Sequence, residues 1–91
     1  MIAAGAVPKI PRGVRLHWDH IRDRWVLLVP EKTIALDQIG HAIISKIDNH
    51  ADFATLVARL ATKYDAPDSQ IAPDVSGFIE TLAARRILEV L

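Results

Sequence analysis

The chain has 91 residues, no cysteine, and eleven basic residues against eleven acidic ones, so its formal net charge is zero. This length allows one small domain with a modest core. The absence of cysteine excludes disulfides and thiolate chemistry and suits a reducing compartment. Zero net charge argues against a function that depends on binding a polyanion, because domains of that kind are usually basic.

The first ten residues are mostly small and apolar, but Pro8 interrupts them and no basic segment precedes them. They therefore lack the pattern of a signal peptide, and no apolar run of the chain is long enough to span a bilayer. We expect residues 1–10 to form a flexible N-terminal arm. Residues 11–91 are expected to form a single domain of a cytoplasmic protein with no membrane partner.

Residues 14–36 show the period of a β-sheet. Apolar and polar residues alternate from 14 to 19, which indicates a half-buried first strand. Residues 25–29 are β-branched, aromatic or aliphatic and predict a second strand, and residues 33–36 predict a third. Because short polar turns join them, we expect an antiparallel meander with residues 25–29 in the middle and residues 33–36 on an edge.

The period becomes helical from Asp37 onward. Asp37 and Asp52 are suited to cap two helices, because an aspartate side chain accepts hydrogen bonds from the free amides at a helix start. Asn49, between these helices, tolerates the left-handed conformation that is common after a helix. The predicted apolar positions are Ile39, Ala42, Ile43 and Ile47, followed by Phe53, Leu56, Val57, Leu60 and Tyr64.

A third helix is predicted to begin between Asp68 and Pro73, because proline is tolerated only near the start of a helix. Residues 87–91 form either a short extension or a strand. Strands grouped before helices predict an α+β fold, with a three-stranded antiparallel sheet followed by three helices. The apolar stripe of the third helix contains Ile71, Val75, Phe78, Ile79 and Leu82.

Little in the sequence points to catalysis or to a metal site. His17, Asp19 and His20 are the densest group of potential ligands, but their spacing fits the polar face of a hairpin. The serines lack the pattern of an activated nucleophile, and the four glycines are isolated rather than grouped in a phosphate loop. We therefore expect no catalytic residue, no metal and no cofactor in a protein that is not an enzyme.

A DNA-binding winged helix-turn-helix protein is one alternative that the element order allows. Its recognition helix would be the third helix, which carries Asp68, Asp74 and Glu80 and would be repelled by phosphates. This alternative predicts an affinity that falls steeply with salt. The charge pattern makes nucleic acid the less favoured partner.

The edge strand at residues 33–36 contains no proline or lysine that would prevent further pairing. A helix or residues 87–91 could cover this edge. A second copy could pair with it to give a dimeric scaffold, or an extended peptide could add a strand to it. The residue pattern alone leaves these alternatives open.

Several segments from residue 8 onward match a known family. They are residues 13–16, 26–28, 30–31, 42–44, 47–48 and 74–75, together with Pro11, Ile34, Leu36, Leu60, Tyr64, Phe78 and Leu82. On these residues the chain resembles the PqqD family of pyrroloquinoline quinone (PQQ) biosynthesis, and residues 27–31 are the most specific part of the match. Asn49 replaces the usual glycine and Asp37 the common asparagine, and both can still serve as caps.

The resemblance implies a winged-helix-like peptide-recognition domain, a recognition element for ribosomally made and post-translationally modified peptides (RiPPs). It implies a peptide chaperone that binds the precursor peptide PqqA and presents it to the radical-SAM enzyme PqqE without performing chemistry itself. By this analogy the peptide pairs with the third strand and lies in a groove formed with the third helix.

The residues implied for peptide binding fall on two elements. On the strand they are Thr33, Ile34, Ala35 and Leu36, and on the helix they are Val75, Phe78, Ile79 and Leu82. We expect half of the helix residues to serve only the core. Trp18 and Trp25 are expected to be core anchors rather than partner contacts.

Overall fold

The computed structural model describes all 91 residues. The elements in chain order are β1 (Pro8–Lys9), β2 (Arg15–Asp19), β3 (Arg24–Val29), β4 (Lys32–Ala35), α1 (Gln38–Lys46), α2 (Phe53–Tyr64), α3 (Asp68–Ala84) and β5 (Glu89–Val90). The predicted α+β order is confirmed in β2–β4 and α1–α3. The residue pattern does not indicate β1, whereas β5 is one of the two alternatives for residues 87–91. None of the helices combines the length and apolar character that crossing a bilayer requires.

Strands β2, β3 and β4 form the predicted antiparallel meander, with β3 in the middle and β4 on an edge. Leu16 lies opposite Leu27, and Leu27 lies opposite Ile34, so these three side chains share one face of the sheet. That face packs into the core, where Leu27 is fully buried. The two-residue turn formed by Pro30 and Glu31 joins β3 to β4 and sets their register.

Aspartate caps begin two of the helices, as predicted. The Asp37 carboxylate accepts a hydrogen bond from the Gly40 amide at 2.7 Å, and the Asp52 carboxylate accepts one from the Thr55 amide at 2.9 Å. Each bond satisfies an amide that has no partner within its helix. Asn49 adopts the expected left-handed conformation shortly after α1, with φ of 69°.

The buried face of α1 differs from the predicted one. Ile39, which the stripe places in the core, is 56% exposed, whereas Ile44 is 1% exposed. Gly40 and Ile43 are buried together with Ile44, so the core face is rotated about the helix axis, away from Ile39 and towards Gly40 and Ile44. The shift follows from close packing at Gly40, where the missing side chain leaves room for the Phe78 ring of α3.

The stripes of α2 and α3 supply much of the core. Their buried members are Phe53, Leu56, Val57, Leu60, Val75, Ile79 and Leu82. Three predicted stripe residues are less buried, since Tyr64 is 39% exposed and Ile71 and Phe78 are half-buried. Helix α3 begins at Asp68, within the predicted window, and Pro73 lies inside it.

The N-terminal ten residues pack against the domain instead of extending as a flexible arm. The Ala6 carbonyl accepts a hydrogen bond from the Phe53 amide at 2.7 Å, and the Ala4 carbonyl accepts one from the Ala54 amide at 3.0 Å. Both amides lie in the first turn of α2, where no partner exists within the helix. By accepting hydrogen bonds from these amides, the N-terminal carbonyls hold the segment against α2. The composition of residues 1–10 does not reveal this contact.

The C-terminal residues pair with the N-terminal segment and not with the meander. Pro8 lies opposite Val90 and Lys9 opposite Glu89 in a separate two-stranded sheet of β1 and β5. Residues 87–91 therefore do not cover β4, which excludes one of the alternatives left open by the sequence. The edge of β4 stays free of strand pairing.

Candidate functional site

The free edge of β4 presents the backbone groups of only two residues. The Leu36 amide donates to the Trp25 carbonyl of the β3 segment at 3.1 Å. In an antiparallel pair, alternate residues direct both backbone groups to the same neighbour, so Ile34 also bonds to β3. Thr33 and Ala35 therefore point their amides and carbonyls away from β3. Of the four strand residues implied for pairing, these two carry the open hydrogen-bonding groups.

The side chains of this strand divide between two faces. Ile34 and Leu36 are partly buried and pack against the core, while Thr33 and Ala35 are exposed. An extended segment added to β4 would alternate in the same way, with every second side chain towards the core side. The edge thus has an apolar side, on which an added strand could bury apolar residues.

The four helix residues are not equivalent. Val75, Ile79 and Leu82 are buried core residues, exposed by 3%, 0% and 5%. Phe78 is half-buried, and its Cε1 atom lies 3.1 Å from the position that a Cβ on Gly40 would occupy. The other three residues therefore hold α3 in place, and Phe78 is the one that reaches the surface.

A groove lies between the three helices. We call it the three-helix groove; it has a volume of about 240 Å³ and nine lining residues, seven of them hydrophobic. Among them are Ile39 and Ile43 of α1, Tyr64 of α2, and Ile71 and Val75 of α3. The residue pattern does not indicate this groove, because it places Ile39 and Tyr64 in the core.

The two tryptophans form an aromatic cluster outside the main core. The rings of Trp18 and Trp25 meet edge to face with centroids 5.5 Å apart, and Trp25 stacks on the His41 imidazole at 4.5 Å. Trp25 is 37% exposed, so the expectation that it anchors the core is wrong. Trp25 lies near the start of β3, where the His41 imidazole of α1 stacks against its ring.

The ionisable groups with shifted pKa values stabilise local structure. Amides of Arg22 and Ile21 donate to Asp19 and lower the pKa of its carboxyl group, as does the Arg22 guanidinium. The Ser76 hydroxyl donates to Glu80 and lowers its pKa. No group of three or more His, Asp or Glu residues is arranged to hold a metal ion.

The exposed surface of α3 is acidic. Asp68, Asp74 and Glu80 are all exposed, and no Lys, Arg or His occurs among residues 65–84. A helix with this charge is repelled by the phosphates of a DNA groove. The geometry therefore gives no support to the DNA-binding alternative.

Comparison with known proteins adds evidence from outside the chain. The family model for coenzyme PQQ synthesis protein D (PqqD) matches residues 24–88. A PqqA binding protein of Rhizobium meliloti (strain 1021) is 42% identical over 91 residues, which cover 100% of this chain and 93% of that protein.

Two solved structures have a similar fold. One is the solution NMR structure of the PqqD truncation of Methylobacterium extorquens PqqCD, a functional and stand-alone RiPP recognition element. It is 37% identical, has a TM-score of 0.77, and the match covers 91% of this chain and 88% of that one. The other is the crystal structure of PqqD from Xanthomonas campestris, which is 36% identical with a TM-score of 0.60, covering 98% and 99%.

Proposed function

The chain belongs to the PqqD family of coenzyme PQQ synthesis proteins, and on this premise we propose that it binds the precursor peptide PqqA as a strand added to β4. The bound peptide is then presented to the radical-SAM enzyme PqqE, which carries out the chemistry. In this proposal the protein is a cytoplasmic peptide chaperone and not an enzyme.

The open edge of β4 is the observation that carries the proposal. Thr33 and Ala35 each offer one amide and one carbonyl to an added strand, and β5 pairs elsewhere. Net gains of about 1 kcal/mol per hydrogen bond give weak affinity by themselves. Burial of apolar peptide side chains beside Ile34 and Phe78 would supply the remainder.

The proposed roles of the helix residues follow from their burial. Phe78 contacts the peptide, because it is the member of the implied set that reaches the surface. Val75, Ile79 and Leu82 act mainly by fixing the position of α3 against the rest of the core. Leu36 and Ile34 form the strand side of the apolar surface.

Replacing Ala35 with proline tests the proposal directly. The Ala35 amide makes no hydrogen bond to β3, so its loss should leave the meander intact, as is usual for proline on an edge strand. Calorimetric titration with PqqA should show affinity lower by about tenfold or more, since one donor is lost and a peptide carbonyl loses its partner. Ala35→Val keeps the amide and is the matched control, for which we expect little change. Unchanged affinity in a folded Ala35→Pro variant would exclude strand addition at this edge.

A second copy of the chain is the competing occupant of the same edge. Sedimentation over a range of concentrations, with and without PqqA, separates the two. The proposal predicts that the peptide binds a monomer or dissociates any dimer formed through β4. A dimer formed through β4 that persists unchanged at saturating peptide would place the peptide elsewhere.

A further inference from the structure

One wall of the three-helix groove begins shortly after β4 in the chain. Leu36 follows β4, Asp37 caps α1, and Ile39 in the first turn of α1 already lines the groove. A peptide that continues past Leu36 therefore meets Ile39 within a few residues. This continuity links the groove to the proposed peptide site.

The size and lining of the groove suit a large apolar side chain. Its volume of about 240 Å³ exceeds that of engineered apolar cavities of about 150 Å³ that bind benzene. Ile39 and Tyr64 are 56% and 39% exposed although both belong to the apolar stripes of their helices. An occupant that covered them would remove this exposed apolar surface from water.

The α3 side of the groove carries only negative charge. Asp74 is the only charged residue in its lining, and Asp65 directly precedes the lining residue Ala66. No Lys, Arg or His occurs among residues 65–84, which contain four carboxylate residues. On the α2 side, the Lys63 ammonium lies 5.9 Å from the centre of the Tyr64 ring. A basic group on the occupant would therefore be complementary to the α3 side of the groove.

We propose that the three-helix groove binds an apolar side chain of the peptide seated on β4, and that Asp74 selects a lysine or arginine next to that side chain. The inference rests on the proposed function, because the occupant is a continuation of the same peptide. It adds a second recognition site, which would recognise side chains of the peptide, whereas the β4 edge recognises mainly its backbone. The peptide is thus fixed in register as well as bound.

Ile39→Ser and Asp74→Asn separate the two parts of this site. Both residues are exposed, so the full-length variants are expected to fold. Titration with PqqA should show affinity about tenfold lower for Ile39→Ser, because apolar burial is lost. Asp74→Asn should lower affinity about two- to fivefold and reduce its dependence on salt. Asp23→Asn, which removes the same charge in the β2–β3 turn, is the matched control and should leave the affinity unchanged.

Amide chemical shifts measured in the same titration distinguish failure of this inference from failure of the proposed function. The inference predicts shifts at Thr33 and Ala35 together with shifts at Ile39, Ile71 and Asp74. Shifts confined to β4, with full affinity in Ile39→Ser, would overturn the groove assignment and leave strand addition standing. Shifts absent from β4 would overturn both. Groove shifts that appear only on adding PqqE, and not on adding the peptide, would assign the groove to the enzyme and overturn the inference.

Discussion

Asn49 and Ile10 are joined by two hydrogen bonds between a side chain and a backbone distant in sequence. The Ile10 amide donates to Asn49 Oδ1 at 2.8 Å, and Asn49 Nδ2 donates to the Ile10 carbonyl at 3.2 Å. Asn49 also occupies the left-handed region, with φ of 69°. One residue therefore both turns the chain in the loop between α1 and α2 and fastens the N-terminal segment after β1.

Substitutions at Asn49 separate these two roles. Asn49→Gly keeps the backbone conformation but loses both hydrogen bonds, and should cost about 1–2 kcal/mol of unfolding free energy. Asn49→Ala loses the same bonds and adds about 1 kcal/mol of left-handed strain. Urea unfolding of the three proteins measures both steps. Equal stability of Asn49→Gly and the parent would show that the contact with Ile10 contributes nothing.

Glu31 is a site where a substitution should stabilise the protein. It follows Pro30 in the turn between β3 and β4 and has φ of 70°, a conformation that favours glycine. Glu31→Gly removes strain of about 1–2 kcal/mol from the folded state, but glycine loses more backbone entropy on folding, which costs about 0.5–1 kcal/mol. The free energy of unfolding should therefore rise by roughly 0.5–1 kcal/mol. Thermal unfolding measures it. Lys32→Gly, placed in β4 beside the turn, is the control and should destabilise.

Local signals in the sequence predict the meander and the helix starts correctly. Asp37 and Asp52 reveal two helix starts because capping depends on neighbouring residues alone. Alternating residues reveal β2 for the same reason. The boundary of α3 is predicted because Pro73 limits where the helix can begin.

Features that depend on distant contacts are not predicted. β1 has two residues and exists because β5 pairs with it, so no periodicity marks it. The exposure of Ile39 depends on how Phe78 packs against Gly40. Residue spacing within α1 gives no information about how α3 packs against it. The candidate site divides in the same way. The edge strand can be predicted from the sequence. Which of its residues bond to β3 and which face the open edge depends on the register of the β3–β4 pairing, which the sequence does not show.

Two glycines on different helices give a matched pair of substitutions. An added Cβ at Gly77 of α3 meets no atom within 4 Å, whereas one at Gly40 of α1 lies 3.1 Å from the Phe78 ring. Gly77→Ala should stabilise the protein by about 0.5–1 kcal/mol, the usual preference for alanine in a helix. Gly40→Ala gains the same propensity but crowds both the Phe78 ring and the capping Asp37 carboxylate, which also lies 3.1 Å from the added Cβ, so its stability should change less.

The same pair tests the proposed contact between Phe78 and the peptide. Gly40→Ala should weaken PqqA binding in calorimetric titration because Phe78 has moved, and Gly77→Ala should leave binding unchanged. The aromatic proton shifts of Phe78 report the displacement independently. Normal binding in Gly40→Ala, together with shifted Phe78 signals, would remove Phe78 from the peptide site.

Asp48 should make the region between α1 and α2 sensitive to acid. The amides of Ala51 and His50 donate to its carboxylate at 2.8 and 2.9 Å, and Arg59 Nη1 lies 3.0 Å from its other oxygen. These contacts hold the pKa of Asp48 well below its usual range, the Ala51 amide most strongly. A pKa depressed by folding contributes stability above the unfolded value of about 4, and this stability is lost as pH falls through the folded value.

The acid sensitivity can be measured by comparing the parent with Asp48→Asn in urea unfolding at pH 7 and pH 3. At pH 7 the parent should be more stable, because asparagine loses the ion pair with Arg59 and the charge that the two amides stabilise. The difference should shrink at pH 3, where protonation of Asp48 in the unfolded chain begins to offset its advantage. Asp23→Asn removes a carboxylate that accepts no side-chain hydrogen bond and serves as the control. A difference between parent and Asp48→Asn that stays constant across this range would show that the charge of Asp48 does not stabilise the fold.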